Sequence, residues 1–167
     1  MKLYTDAITG DEMVSDGYKI HEVDDVIYEV DAQMIVVSEG EVDIGGNPSA
    51  EEQAEALENG ASQVINVVHT FRLQGTQFDK KSYLVHLKSY MKAIKTRLAA
   101  ENPDRVPIFE AKAAAFAKKV VANFKDYDFY TGESMNPDGM VALCNYREDG
   151  VTPYFILWKD GLKETKI

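Results

Sequence analysis

Apolar and polar residues alternate in short runs at both ends of the chain, and between them the period lengthens to that of a helix. Lys2–Ile8 alternates loosely, Tyr18–Glu22 follows an Asp16-Gly17 turn, and Val26–Val30 and Met34–Val37 are rich in β-branched residues. Residues 2–37 are therefore predicted to form short strands. Val64–Phe71 (VINVVHTF) reads as a further strand, buried on both faces. Residues 38–62 between them carry seven acids, four Gly and one Pro, with no Lys or Arg and few large apolar side chains. Burial there cannot offset the entropy of ordering, so a mobile acidic loop is expected.

From Phe78 to Ala100 the apolar positions Leu84, Leu87, Met91, Ile94 and Leu98 follow 3, 4, 3, 4 spacing. That spacing puts all five on one helical stripe. Asn102-Pro103-Asp104 ends this helix and opens another, because Pro disfavours a helical residue before it and fits an early helical position itself. The second helix is predicted from Asp104 to Phe124, with Phe109, Ala113, Phe116, Val120 and Phe124 facing inward. A short connection between two helices implies an antiparallel hairpin.

The last forty residues return to strands. Asp138-Gly139, Asp149-Gly150 and Asp160-Gly161 recur every 11 residues and separate Met140–Tyr146 from Pro153–Lys159. Asp-Gly supplies the positive φ of tight hairpin turns, which predicts a meander. The fold class is thus α+β: one domain over residues 1–167, rich in antiparallel strands, with a helical hairpin inserted at 76–125 and an acidic loop at 38–62.

Charge changes this picture. Residues 72–125 hold twelve of the 18 Lys and Arg and only four acids, a net of +8, while the remaining 113 residues carry a net of −18. Segregation of this kind favours interaction over catalysis. Lys80, Lys81, Lys88, Lys92, Lys95, Arg97, Lys112, Lys118 and Lys119 form a basic helical face suited to an acidic partner. An isoelectric point near 4.7 argues against a primary nucleic-acid binder. The N-terminal residues contain no apolar run, so no signal peptide is expected, and no stretch is long enough to span a membrane. With Cys144 as the one cysteine, an intrachain disulfide and a multi-cysteine zinc site are excluded, and a cytosolic protein is expected.

Catalytic constellations are missing. His21, His69 and His86 lack paired-ligand spacing, and neither GxSxG, GxGxxG nor a Walker A motif occurs. Cys144 lies in an apolar run (VALCNY), as an inert buried thiol would. No cofactor is expected. Asp126, Asp128, Glu133 and Asp138 cluster in sequence and suit weak calcium binding, but without EF-hand spacing.

Two segments are more specific than their physics requires: IGGNPSAEEQAE (44–55) and FKDYDFYTGESMNPDGMVALCNYREDGVTPYFILWKDG (124–161). Both resemble the translationally controlled tumour protein family, as do the opening MKLYTDAITGDEMVSD and YMKAIKTRL in the first long helix. The resemblance implies a β-rich, tent-like fold with a projecting hairpin and a flexible acidic loop. It implies a cytosolic protein, associated with microtubules or ribosomes, linked to protein synthesis, growth and microtubule stabilisation, with weak calcium binding. Its implied partners are translation elongation factors or small GTPases, through Glu12 and Glu133, and tubulin or microtubules, through the basic hairpin. The fold also resembles zinc-containing chaperones of small GTPases and methionine sulfoxide reductases, an analogy that carries no function. The competing expectation is a calcium-binding or chaperone-like protein that regulates no GTPase. Animal members with secreted activity end in a cysteine, whereas this chain ends KETKI, so a monomer rather than a covalent dimer is expected.

Overall fold

The computed structural model describes residues 1–38, 41–42 and 62–166. In chain order the strands and helices are β1 (Lys2–Asp6), β2 (Glu12–Ser15), β3 (Ile20–Val23), β4 (Ile27–Asp31), β5 (Met34–Ser38), β6 (Glu41–Val42), β7 (Ser62–Ile65), α1 (Asn66–Phe71), β8 (Gln74–Thr76), α2 (Lys80–Glu101), α3 (Val106–Ala122), β9 (Asp128–Thr131), β10 (Ala142–Tyr146), β11 (Pro153–Trp158) and β12 (Leu162–Lys166). Among the described residues these strands form three sheets, ordered β12-β1-β2, β3-β4-β11-β10-β9-β8 and β6-β5-β7. Every strand pair is antiparallel. The α+β class is as expected, and most of the span predicted as an acidic loop lies outside the described residues.

The large sheet is built on β10 and β11, whose residues Leu143, Cys144, Phe155 and Ile156 are buried. The helical hairpin covers it. Phe116 on α3 meets Trp158 edge-on at 5.6 Å between ring centroids. Phe78, Tyr83, Phe124 and Phe129 form an aromatic cluster where the hairpin leaves the sheet. Offset and edge-on rings of this kind add to the apolar burial itself.

The hairpin differs from expectation in phase. The buried stripe of α2 is Tyr83, Leu87, Tyr90, Ile94 and Leu98, while Leu84 is 44% exposed. Helical spacing permits either stripe, and the larger tyrosine rings bury more area against the aromatic cluster. The inward set of α3 is Phe109, Ala113, Phe116 and Val120, as predicted; Phe124 falls in a following 3-10 turn and is half-buried. Asp79 starts α2 with a reciprocal capping box: its Oδ1 accepts from Ser82 N at 2.7 Å, and its own N–H donates to Ser82 Oγ at 3.0 Å.

Two other expectations need correction. Val64–Phe71 is a strand only to Ile65; Asn66–Phe71 is a helix that buries Val67 and Phe71 and leaves His69 exposed. Val67 and Phe71, four apart, share one face, so packing overrides the β-propensity of the valines. Of the three Asp-Gly turns, Gly150 alone has positive φ (71°). Gly139 and Gly161 are instead needed for close approach, since a Cβ would strike Thr9 and Asp6, and Tyr90, respectively.

One ionic cluster fixes the hairpin's distal turn to the sheets. Arg105 donates to both carboxylate oxygens of Asp160 at 2.9 Å and to Asp25 Oδ2 at 2.7 Å. Lys159 also reaches Asp25 (2.9 Å) and Glu22 (2.8 Å). Asp24 and Asp25 lie in the three-residue loop that Val23 and Ile27 close between β3 and β4. Both take positive φ (54° and 57°), and Val26 N donates to Val23 O at 3.2 Å, as in a type I′ turn. Asp24 bonds Lys119 of α3 at 3.3 Å, so cations from the hairpin and from the end of β11 hold a turn that Asn-Gly would form more easily.

Candidate interaction cleft and basic hairpin

Glu12 and Glu133, 121 positions apart in sequence, border one cleft. It has a volume of about 430 Å³ and is lined by Gly10, Asp11, Glu12, Thr70, Phe71, Arg72 and Glu133. Three segments supply the walls. Asp6, buried at the end of β1, accepts from Ile8 N (2.9 Å) and from Met140 N (2.7 Å), which ties the β1–β2 turn to the loop after β9. The register between β1 and β2 shifts at Tyr4/Thr5, and this bulge re-aims the strand at Glu12, whose carboxylate is exposed.

The second wall is the turn after β9. Asp11 Oδ2 accepts from Ser134 Oγ at 2.6 Å and from Ser134 N at 3.4 Å. The approach is so close that a Cβ on Gly132 would collide with Asp11, which accounts for glycine just before Glu133. The third wall is the C-terminus of α1, where Arg72 sits in the left-handed region (φ 55°, ψ 40°) and its N–H caps Val68 O. From there Arg72 Nη1 donates to Glu133 Oε1 at 3.1 Å. Both side chains remain largely exposed, at 73% and 58%.

Among the described residues, the cleft therefore holds Asp11, Glu12 and Glu133 against one cation, Arg72. Asp11 is engaged with Ser134, whereas Glu12 has a free face and Glu133 shares its charge with Arg72. Such a site can accept a lysine or arginine from a partner while Arg72 donates to a carboxylate or phosphate. Sequence reasoning had not singled out Arg72 or Asp11. Neither belongs to a periodic pattern, and the left-handed cap that aims Arg72 leaves no mark in the residue itself.

The basic residues form a separate surface. Lys80, Lys81, Lys88, Lys92, Lys112 and Lys118 are exposed and make no ion pair among the described residues. The other three are engaged: Lys95 with Glu110 across the hairpin (3.5 Å), Lys119 with Asp24, and Arg97 with Glu101 (3.2 Å) and the Asp160 carbonyl (2.9 Å). His86 of α2 stacks on Tyr90, and burial lowers its pKa.

No group of three or more His, Cys, Asp or Glu side chains among the described residues is placed to hold a metal ion. Asp126, Asp128, Glu133 and Asp138 are thus not gathered into one site. Cys144 is buried, and burial pushes its thiol up to about 12, which leaves it without nucleophilic character. No helix among the described residues is long and apolar enough to cross a membrane.

The family profile described as "Translationally controlled tumour protein" matches residues 1–163. The chain belongs to the translationally controlled tumour protein family. It is 72% identical to the translationally-controlled tumor protein homolog of Mycosarcoma maydis, with all of both chains covered. It is 60% identical to the homolog of Schizosaccharomyces pombe, with 99% of each covered. Among solved structures it resembles the translationally controlled tumor-associated protein of S. pombe (TM-score 0.85, 60% identity, all of both chains covered). It also resembles the family member of Caenorhabditis elegans (TM-score 0.74, 30% identity, 100% and 99% covered). The three-sheet body and its inserted hairpin are thus the translationally controlled tumour protein fold.

Proposed function

We propose that this chain is a non-enzymatic cytoplasmic regulator that binds a GTPase of the elongation-factor or small-GTPase class through the cleft bordered by Glu12 and Glu133. The observation that carries this reading is the convergence of the two carboxylates, from distant parts of the chain, on one exposed cleft beside Arg72. Carboxylates offered to a GTPase compete for its phosphate-binding lysine or perturb its Mg²⁺, and either alters nucleotide affinity. Titrating the purified elongation-factor GTPase with wild-type protein, Glu12→Ala and Glu133→Ala tests the contact. Each substitution should weaken binding by about tenfold, the cost of one charge-assisted hydrogen bond. Equal affinity for all three proteins would remove the cleft from the interface.

A second contact is favoured by the six exposed lysines of the hairpin that make no ion pair among the described residues. They suit an acidic cytoskeletal surface such as tubulin, reached by the monomeric protein without help from the cleft. Co-pelleting with microtubules should fall away as salt rises through ~0.2 M, where the screening length drops below about 8 Å. Charge reversal at Lys88 and Lys92 should abolish it. Pelleting that survives both treatments would exclude the hairpin.

A further inference from the structure

The phase of α2 has a consequence for recognition. Because the buried stripe begins at Tyr83, Leu84 is turned onto the outer seam between α2 and α3 and is 44% exposed. There it forms the side of a groove of about 380 Å³ whose other lining residues are Lys80, Ala117, Lys118, Val121 and Ala122. The floor is aliphatic and low, since α3 presents alanines opposite Leu84. The rim is cationic: Lys80 lies one turn before Leu84, Lys118 stands on α3, and neither has an ion pair among the described residues.

We propose that this groove docks an acidic amphipathic helix of a partner protein, with aliphatic side chains between α2 and α3 and carboxylates on Lys80 and Lys118. The shape argues for a helix: two antiparallel helices present parallel ridges, and a third helix seats its own ridge in the groove between them. The charge argues for acid, because the rim lysines lie within the most basic stretch of the chain. Unstructured acidic tails would use the lysines and leave the aliphatic floor wet. Anionic lipid would demand protruding apolar side chains, whereas these line a depression. The inference rests on the hairpin contact proposed above and specifies what that contact reads.

The full-length protein would be titrated, at physiological salt, into a fluorescein-labelled blocked peptide with Leu at i, i+3, i+4 and i+7 and Glu elsewhere. A scrambled peptide of the same composition and a poly-Glu peptide serve as probes of charge alone, and phosphatidylserine vesicles as a probe of membrane binding. The amphipathic peptide should bind about tenfold or more tightly than the scrambled one, and Leu84→Glu should remove that margin, as withholding one leucine-sized contact would. Leu84 is exposed, so the variant folds, and Leu84→Met should retain binding. Equal binding of all three peptides, lost with Lys88→Glu and Lys92→Glu, would overturn the groove and leave the hairpin contact standing. Failure of every peptide would overturn both. Binding to vesicles without the amphipathic peptide would assign the face to membranes instead.

Discussion

Arg72 and Glu133 meet at 3.1 Å across 61 residues of sequence, joining the end of α1 to the turn after β9. The pair is exposed, so its weight in stability is small, and its importance lies in what it leaves available. A partner that offers Glu133 a cation frees Arg72, and one that offers Arg72 an anion frees Glu133.

Arg72→Ala should therefore cost under about 1 kcal/mol of folding free energy through the lost pair. Arg72→Gly should be more stable than Arg72→Ala by about 1 kcal/mol, because φ of 55° strains any residue with a Cβ. Urea unfolding of the two variants decides this. Equal stability would mean that the left-handed cap relaxes when the arginine is removed.

Arg105 should behave differently. It is 13% exposed and fills both oxygens of Asp160, itself 8% exposed. Arg105→Ala leaves that carboxylate poorly solvated and unpaired, and should destabilise by about 2–3 kcal/mol. Arg105→Lys should recover only part of this, since an ammonium cannot reproduce the two-point contact. Full recovery in lysine would show that charge alone holds the hairpin's turn.

Acidification should weaken the fold in two stages. Burial lowers the pKa of His86, so the unfolded chain takes up a proton more readily, and stability declines as pH falls below ~6.5. His86→Gln should flatten that stage. Bonds from Lys159 and Arg105 lower the carboxyl of Asp25 from 3.8 to about 2. Its contribution is complete above the unfolded value and is lost as pH falls from about 4 towards 2. Asp25→Asn should reduce the slope in that lower window alone. Urea midpoints measured across the pH series would separate the stages; a flat profile between pH 7 and 5 would exclude His86.

Cys144 should resist iodoacetamide at pH 8 in the native protein and react once urea unfolds it, because burial holds the thiol protonated. Mass spectrometry of the alkylated fraction against urea should track the unfolding curve. Rapid native labelling would contradict the buried position of β10.

Much of the architecture was legible from pattern alone. The Pro103 break, the inward face of α3 and the strands β1, β4, β5, β10 and β11 follow from periodicity, whereas β2, β9 and β12 were not delimited and only one Asp-Gly turn takes the positive φ expected of it. The failures share a cause in tertiary packing. Leu84 and Tyr83 are neighbours in sequence, and only the aromatic cluster of Phe78, Phe124 and Phe129 decides which of them turns inward. VVHTF is a good strand sequence, yet Val67 and Phe71 find their burial as a helix. The cleft was half legible. Glu12 and Glu133 were marked by family resemblance, but their adjacency depends on the buried Asp6 and on Gly132, and Arg72 enters only through its backbone conformation.

Release of a fluorescent guanine nucleotide from the purified elongation-factor GTPase tests the central claim most directly. With saturating wild-type protein the release rate should change, and the change should be lost with Glu12→Ala and with Glu133→Ala, since the two carboxylates act from one cleft. An unchanged rate at concentrations well above ~10 μM, where an interaction of about 7 kcal/mol is largely formed, would contradict it. So would a change in rate that both variants reproduce in full.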